Sequence, residues 1–320
     1  MVARGACHAG QCEPMLELKR LLRSRAVNGW PLFWLLSAPL SVVMVIETLG
    51  SDVGNATDVS HLISYSVRWA VPFIYVVLAS SALNTLAPGA VPAWLLRNRK
   101  QLGLCFAVAM AWQGLFIYLM STAHRDHYFD EIYYLRDELE GSTGYVFLTA
   151  LVVTSFRHGR KALDARQWKR LHTVGVYFLW AYPFSVYWWA LFYYPNPEPI
   201  DYVFYAGGFV AFALRIAAWG KKRTLAARRQ ATAPTPAGYR ALGAALIAAG
   251  AGAAVTGLSW QNAVSTVLTT PAWSANFELW VPYWPFEPFL PLALVGLGTA
   301  LTTMPGAPAA SRVSAEPHAR

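Results

Sequence analysis

Residues 97–122 read RNRKQLGLCFAVAMAWQGLFIYLMST, a basic cluster followed by 22 residues without a charge. A helix needs about 20 predominantly apolar residues to cross the hydrocarbon core of a membrane. The same arrangement recurs along the chain, in which short polar loops separate apolar stretches at 31–48, 66–86, 101–122, 143–157, 172–194, 201–219, 239–258 and 286–303. We therefore expect an all-α, polytopic membrane bundle with eight transmembrane helices. The fourth stretch is short, and we expect its helix to begin earlier, within the acidic segment before it.

The basic residues occur in alternate loops. Of the 26 Lys and Arg residues, 22 lie in the N-terminal tail, in the loops around 97–100, 157–170 and 221–240, and in the C-terminal tail. Lys and Arg close to apolar spans stay on the cytoplasmic side of a membrane. The pattern therefore predicts a multi-pass protein of the inner (cytoplasmic) cell membrane with both termini in the cytoplasm.

Composition supports a membrane protein and argues against a nucleic-acid partner. The chain is 56% hydrophobic and only 13% charged, whereas a soluble domain carries about 25% charged residues. Its net charge of +9 is confined to the predicted cytoplasmic loops, where anionic lipid headgroups attract Lys and Arg. The lipid bilayer is therefore the predicted partner, and we expect no nucleic acid.

The last two predicted spans differ from the first six. The seventh, ALGAALIAAGAGAAVTG, is rich in small residues, which allow close packing of helices. The loop before the eighth, residues 259–285, contains four Trp residues, and Trp favours the membrane interface. We divide the chain into a cytoplasmic tail (1–30), a six-helix core (31–220), a basic linker with an additional hairpin (221–303), and a second cytoplasmic tail (304–320).

Cysteine and histidine pairs suggest metal binding only weakly. Cys7 and Cys12 flank His8, but structural zinc sites usually add a second pair of ligands. His124 and His127 lie in an acidic segment, and two neighbouring histidines do not complete a coordination shell. We favour a disordered tail and a solvated loop, and we predict no metal site. Cys105, within an apolar span, is interpreted as a packing residue.

Two stretches resemble a known family. Residues 97–112, RNRKQLGLCFAVAMAW, resemble its basic pair followed by Leu-Gly-Leu at the start of the third helix. Residues 149–177 contain a Thr-Ser pair and then Trp-Lys-Arg-Leu-His, which resemble the end of its fourth helix and the start of its fifth. The chain is similar over 68–219 to the ferric reductase-like transmembrane domain. Its nearest likeness is to the bacterial branch that supplies the membrane haem subunit of periplasmic methionine-sulfoxide reductase systems.

The resemblance implies a haem-binding bundle whose ligand positions are degenerate in this chain. The family's axial histidines of helices three and five correspond here to Gln113, His172 and Ser185. Gln113 lies 13 residues after Lys100, and Ser185 lies 15 after Arg170. At ~1.5 Å per residue, the 113 and 185 positions are both roughly 20 Å from the same end of the bundle. Haem iron is held by His, Met, Cys or Tyr, so we do not expect Gln113 and Ser185 to ligate it.

His172 is the remaining candidate ligand for a cofactor, although the residue at its expected partner position is Arg99. The alternative interpretation of His172 is a residue that starts a helix at the membrane interface. Where a haem would otherwise lie, we expect aromatic side chains of spans three and five to fill the volume, and we expect Gln113 to hydrogen-bond Ser185. Arg68 either pairs with a haem propionate or a quinone oxygen or extends towards headgroups, and Arg215 is expected to extend towards the cytoplasm.

Two functions follow, and they remain alternatives at this stage. The first is a haem-free structural or interaction subunit, or a lipid- or quinone-binding subunit. The second is a transmembrane electron-transfer subunit of the oxidoreductase class that uses haem b or flavin with separate redox partner proteins. Ion-coupled transport is disfavoured, because no Asp, Glu or Lys lies in the middle of a predicted span.

Overall fold

The computed structural model describes residues 17–230 and 233–306, and within these ranges the chain contains helices and no strand. The predictions for Cys7, Cys12, His8 and the last 14 residues concern positions outside these ranges. The all-α class expected from the sequence is confirmed.

Eight principal helices each overlap one of the predicted apolar stretches. They are α1 (Trp30–Gly50), α2 (Ala56–Leu86), α3 (Arg99–Ala123), α4 (Leu135–Ser155), α5 (Ala165–Phe192), α6 (Pro199–Arg229), α7 (Ala237–Val255) and α8 (Leu290–Thr302). The fourth helix begins at Leu135, within the acidic segment, as expected. Short helices at Ala90–Arg97, Arg157–Lys161, Gly257–Thr269 and Ser274–Trp280 lie in the connections.

Five of the principal helices, α1, α2, α3, α6 and α7, are long and apolar enough to cross a membrane. The other three have identifiable reasons for falling short. Helix α4 begins with a cluster of charged residues, and α5 carries basic residues in its first turns. Helix α8 contains only 13 residues. The chain is therefore a membrane protein by the composition of its helices.

Side-chain caps define where several helices begin. The Asn55 side chain accepts a hydrogen bond from the Thr57 amide at the start of α2. At the start of α5, the Asp164 carboxylate accepts from the Gln167 amide while the Gln167 side chain accepts from the Asp164 amide. These contacts satisfy backbone donors that have no partner within the helix. The α5 cap fixes the start of the helix that carries His172.

Aromatic side chains of α5 form the centre of the core. The Trp180 and Phe184 rings stack with centroids 4.9 Å apart, and Phe184 stacks on Tyr205 of α6 at 5.4 Å. Trp188 is completely buried and contacts Trp260 from the connection after α7. These rings therefore pack towards α6 and the C-terminal part of the chain. The predicted filling by aromatic residues is found mainly on this side of α5, and Tyr118 of α3 is largely exposed.

One segment differs from its prediction. The sequence of residues 129–139 favours a single short surface helix. In the structure, a π-helical turn covers Tyr128–Ile132, and α4 starts separately at Leu135. The interruption lies at Tyr133 and Tyr134, whose extended backbone conformation is incompatible with a continuous helix.

Helices α7 and α8 pack closely through glycines, as the small-residue composition predicts. A Cβ at Gly250 would lie 2.6 Å from the Pro291 carbonyl oxygen, and one at Gly298 would lie 2.5 Å from the Gly243 carbonyl oxygen. Backbone atoms cannot yield as a flexible side chain can. Helix α8 also packs against α6, where a Cβ at Gly220 would lie 2.6 Å from the Thr299 methyl group. Because these glycines have no side chain, α8 can pack closely between α7 and α6.

Gly250→Ala should destabilise the protein, because the added methyl group forces α7 away from α8. Overpacking of this kind costs about 1–3 kcal/mol, and thermal unfolding in detergent would measure it. Gly252→Ala is the matched control on the same helix, since a Cβ there meets no atom within 4 Å. Equal unfolding temperatures for the two variants would contradict this account of the α7–α8 contact.

Candidate functional site

Two neighbouring cavities lie between α3 and α5. We call the larger one, of about 570 Å³, the basic cavity. We call the other, of about 90 Å³, the small cavity. Phe106, Leu148 and Leu179 line both cavities, so the two are neighbours within the bundle. Ligand sites in proteins are typically ~300–1,000 Å³, and of these two cavities the basic cavity falls in that range.

The basic cavity has a charged part and an apolar part. Its cationic side chains belong to α3, α5, α6 and the connection between α4 and α5, and they are Arg99, Lys100, Arg160, Lys169 and Arg215. No Asp or Glu is found among the described residues that line the cavity. Its apolar side chains include Val77, Leu78, Leu104, Leu151 and Val176. Lys100 and Lys169 are exposed, so the cavity reaches the protein surface at its charged end.

His172 lines the basic cavity close to its charged end. Its Nε2 lies 3.0 Å from the Thr154 hydroxyl oxygen, and its ring lies 4.1 Å from the Trp168 ring between centroids. Trp168 in turn donates from Nε1 to the Thr154 carbonyl at 3.2 Å. These contacts from α4 and α5 hold the imidazole in a defined orientation at the cavity wall.

The residue opposite His172 is a cation. The resemblance pairs positions 99 and 172, and the structure brings both to the same cavity. The Arg99 guanidinium makes no hydrogen bond or ion pair with any residue in 17–230 or 233–306. It lies close enough to Arg215 for the two charges to repel each other. Arg99 is therefore a half-buried cation without an anionic partner in the described protein.

Arg215 hydrogen-bonds hydroxyl groups of two neighbouring helices. Its Nη2 donates to the Tyr177 hydroxyl at 2.7 Å and its Nη1 donates to the Ser81 hydroxyl at 2.6 Å. These bonds are available because α2, α5 and α6 meet at this depth. Arg215 is thus fixed as part of the wall of the basic cavity.

The small cavity contains Gln113 but not Ser185. The Tyr145 hydroxyl lies 3.0 Å from Gln113 Oε1 and 3.1 Å from the Met110 carbonyl oxygen, both of which can accept its proton. Ser185 donates to the Tyr182 carbonyl of its own helix at 2.8 Å. The expected hydrogen bond between Gln113 and Ser185 is therefore wrong. Tyr182 and Pro183, rather than Ser185, are the α5 residues at this depth that line the cavity.

These residues do not fit a haem held by two imidazoles at the 113 and 185 positions. The amide oxygen of Gln113 is engaged by Tyr145, and the cavity beside it holds only about 90 Å³. The basic cavity supplies a single imidazole, His172, with Arg99 at the facing position. Its cations can hold anionic groups, because a guanidinium binds carboxylate and phosphate oxygens well.

The connection between α7 and α8 attaches to the first turns of α4 and to α5. Tyr283 donates its backbone N–H to Glu140 Oε1 at 2.8 Å and its hydroxyl to the Phe178 carbonyl at 3.1 Å. Arg136 lies 3.9 Å from Glu140 and 3.6 Å from Glu278. Burial and the Glu140 charge raise the pKa of the Tyr283 phenol, which stays protonated and able to donate at neutral pH. Because Glu140 and Phe178 line the small cavity, this connection lies beside it.

Sequence reasoning did not identify Glu140 and Glu287 as buried residues. Glu287 is fully buried and accepts the Tyr193 hydroxyl at 3.0 Å. The partners of Glu140 and Glu287 are 143 and 94 residues away in the sequence, so local patterns do not reveal them. The Trp residues of the same connection divide between two environments, since Trp280 is 72% exposed and Trp284 is buried.

Other candidate residues have structural partners. Arg68 forms an ion pair with Glu198 at 2.9 Å, which joins α2 to the start of α6. His124 Nε2 lies 2.9 Å from the Val53 carbonyl oxygen. In residues 17–230 and 233–306, no group of three or more His, Cys, Asp or Glu is placed to hold a metal ion. Cys105 is buried among apolar residues, as predicted.

Comparison with known proteins shows a distant similarity. The chain is 32% identical over 128 residues to the protein-methionine-sulfoxide reductase heme-binding subunit MsrQ of Polaromonas naphthalenivorans. The match covers 38% of this chain and 55% of that protein, so the chain spans about half the length of the curated relative it matches. No known family profile matches the chain. No solved structure matches it either.

Glu140→Ala should loosen the connection between α7 and α8, because the Tyr283 amide loses its acceptor and Arg136 loses one carboxylate partner. Hydrogen exchange of the backbone amides in 273–286 should become faster by an amount equivalent to about 1–3 kcal/mol. Glu131→Ala, an exposed carboxylate in the α3–α4 connection, serves as the control. Unchanged exchange in the Glu140 variant would show that these contacts do not hold the connection.

Proposed function

We propose that this chain is a haem-free descendant of ferric reductase-like transmembrane domains that acts as a structural, interaction or lipid- or quinone-binding membrane subunit. The observation that carries this proposal is the engagement of Gln113 by Tyr145 within a cavity of about 90 Å³. A neutral amide that already accepts a hydrogen bond is a poor ligand for haem iron. The basic cavity supplies the volume for a different ligand.

The similarity to MsrQ supports a membrane location and a partner protein. MsrQ is named as the heme-binding subunit of a reductase, and a subunit acts with another polypeptide. We propose that the present chain likewise associates with a redox or other membrane-complex subunit. The helix composition supports a lipid environment for this association.

We further propose eight transmembrane helices with both termini in the cytoplasm of the inner membrane. Helices α4, α5 and α8 fall below the hydropathy or length expected of a span, yet each packs against apolar helices of the bundle. The alternation of basic loops supports this orientation. It places the charged end of the basic cavity on the cytoplasmic side and the α7–α8 connection on the opposite side.

Single-cysteine labelling tests this topology. In a Cys7→Ser, Cys12→Ser background, Tyr194→Cys and Thr266→Cys should react with a membrane-impermeant maleimide on intact spheroplasts. His158→Cys should react only after lysis, because the α4–α5 connection lies inside. All three positions are exposed in the structure. Labelling of His158→Cys before lysis would overturn the proposed orientation.

The second candidate function is transmembrane electron transfer with haem b or flavin and separate partner proteins. One observation favours it: His172 lines a cavity of about 570 Å³ together with several cations. His172 would supply an axial nitrogen to a haem, and Arg99 and Lys169 would hold the carboxylates of a haem or the phosphate of a flavin. A bound haem or flavin would supply one-electron chemistry.

A dithionite-reduced minus oxidised absorption spectrum of the purified protein distinguishes the two functions. The haem-free proposal predicts no b-type haem band in folded protein. A band that disappears in His172→Ala and persists in His158→Ala, an exposed histidine outside the cavity, would support electron transfer instead. A band that survives both substitutions would contradict the proposal and indicate a ligand other than His172.

A further inference from the structure

A groove opens to the surface of the bundle between α2, α6 and α8. Its volume is about 360 Å³, and the residues that matter here are Ala82, Phe212, Ile216, Trp219, Lys222 and Gly296. We call this space the α6 groove. Arg215 and Tyr177 line both the α6 groove and the basic cavity, so they form the wall between the two. Because Trp219 and Lys222 are exposed, the groove is open on the side away from the basic cavity.

Helix α6 is longer than a membrane span requires. It has 31 residues, which extend over roughly 46 Å, whereas the hydrocarbon core of a bilayer is about 30 Å thick. The run of basic residues at 221–223 marks the level at which the helix leaves the apolar layer. Phe212 lies ten residues before Lys222 and is therefore about 15 Å deeper along the helix. The groove thus extends from the headgroup level into the acyl chains of one leaflet.

Lys222 is the cation of this groove that lacks a partner. Lys221 donates to two carbonyl groups at the end of α2 at 2.8 and 3.2 Å, and Arg223 donates to a threonine hydroxyl after α8 at 3.2 Å. The Lys222 side chain makes no hydrogen bond or ion pair with a described residue. No Asp or Glu occurs in residues 59–125 or 202–277, which include α2 and α6 beyond their first turns. The groove therefore presents a positive charge without a carboxylate beside it.

The deeper walls of the groove suit an apolar chain. Phe212 and Ile216 line it from α6, and Gly296 of α8 leaves room between them, since a Cβ there would meet only the Ile216 Cδ1 atom, at 3.9 Å. Trp219 is 42% exposed at the level where indole rings favour the membrane interface. A small hydrated anion gains nothing from apolar walls, whereas an acyl chain is favourably buried against them.

We propose that the α6 groove binds an anionic phospholipid of the bilayer, with its phosphate at Lys222 and an acyl chain against Phe212, Ile216 and Gly296. Basic pockets between transmembrane helices attract anionic headgroups in this way. The proposed orientation places the site in the cytoplasmic leaflet. The inference deepens the lipid-binding form of the proposed function and rests on it for the membrane location alone, since it needs neither the presence nor the absence of haem.

Delipidated protein in a non-ionic detergent, titrated with each probe and followed by native mass spectrometry, tests the proposal. The probes are dioleoyl phosphatidylglycerol, dioleoyl phosphatidylethanolamine and glycerol phosphate. The two lipids share their acyl chains and differ in the net charge of the head, whereas glycerol phosphate has no acyl chain. We expect a saturable complex of one phosphatidylglycerol per chain, and about fivefold weaker binding of the other two probes.

Variants separate the charge of the site from its apolar part. Lys222→Gln should lower the affinity for phosphatidylglycerol about fivefold, to that for phosphatidylethanolamine, and Lys222→Arg should retain it. Gly296→Leu fills the deeper part of the groove and should weaken both lipids alike. Arg228→Gln is the matched control, an exposed cation of α6 that does not line the groove, and it should change the affinity less than about twofold. Thermal unfolding in detergent checks that each variant is folded.

Three results would overturn the proposal. The first is equal affinity of the unchanged protein for the two lipids, or an affinity for phosphatidylglycerol that Lys222→Gln leaves unaltered. The second is glycerol phosphate binding as tightly as phosphatidylglycerol, which would indicate a site for a free anion. The third is a dimer that forms in place of the lipid complex, which would identify a second copy of the chain as the occupant. The haem spectrum is an independent result, so a haem band would refute the haem-free function and leave the lipid measurement unaffected.

Discussion

A charged side chain inside an apolar helical bundle needs an opposite charge, a hydrogen-bond partner or water, because burying an isolated charge is costly. The two ends of this bundle meet that requirement differently. At one end, Glu140 accepts the Tyr283 amide and lies near Arg136, so the α7–α8 connection is joined to α4. At the other end, Arg99 and Arg215 line one cavity, and no carboxylate is found among the described residues that line it. The charges of the first end are paired within the protein, and the second end is suited to an anionic ligand.

Packing within the bundle places the larger cavity away from its aromatic centre. Rings of α5, including Trp180, Phe184 and Trp188, pack towards α6 and the C-terminal connection. Interiors are close-packed, so a volume filled by rings is not available to a planar cofactor. The glycines of α7 and α8 allow their backbones to approach, which holds α8 against the same side of the bundle. Between α3 and α5, the larger open space lies near the basic residues, and the small cavity lies beside Gln113.

The resemblance to haem-binding membrane subunits concerns both cavities of the bundle. The resemblance assigns Gln113 to a ligand position of the family, and its amide oxygen accepts a hydrogen bond from Tyr145. It assigns His172 to another such position, and His172 lines the basic cavity with Arg99. With Arg99 and His172 on one cavity wall, the cavity carries excess positive charge. Such an environment suits an anionic group.

The sequence alone determined the all-α class, the approximate positions of eight helices and the small-residue contact of α7. These features depend on the local pattern of apolar residues and on the polar residues that separate apolar stretches. It also indicated that Gln113 is a poor haem ligand. Only the tertiary structure decided that Gln113 bonds Tyr145 instead of Ser185, that Arg99 and His172 share one cavity, and that Glu140 meets Tyr283 across 143 residues. Such pairings depend on the rotation and depth of each helix relative to its neighbours, and a rotation of one residue position, about 100°, moves a side chain to another face.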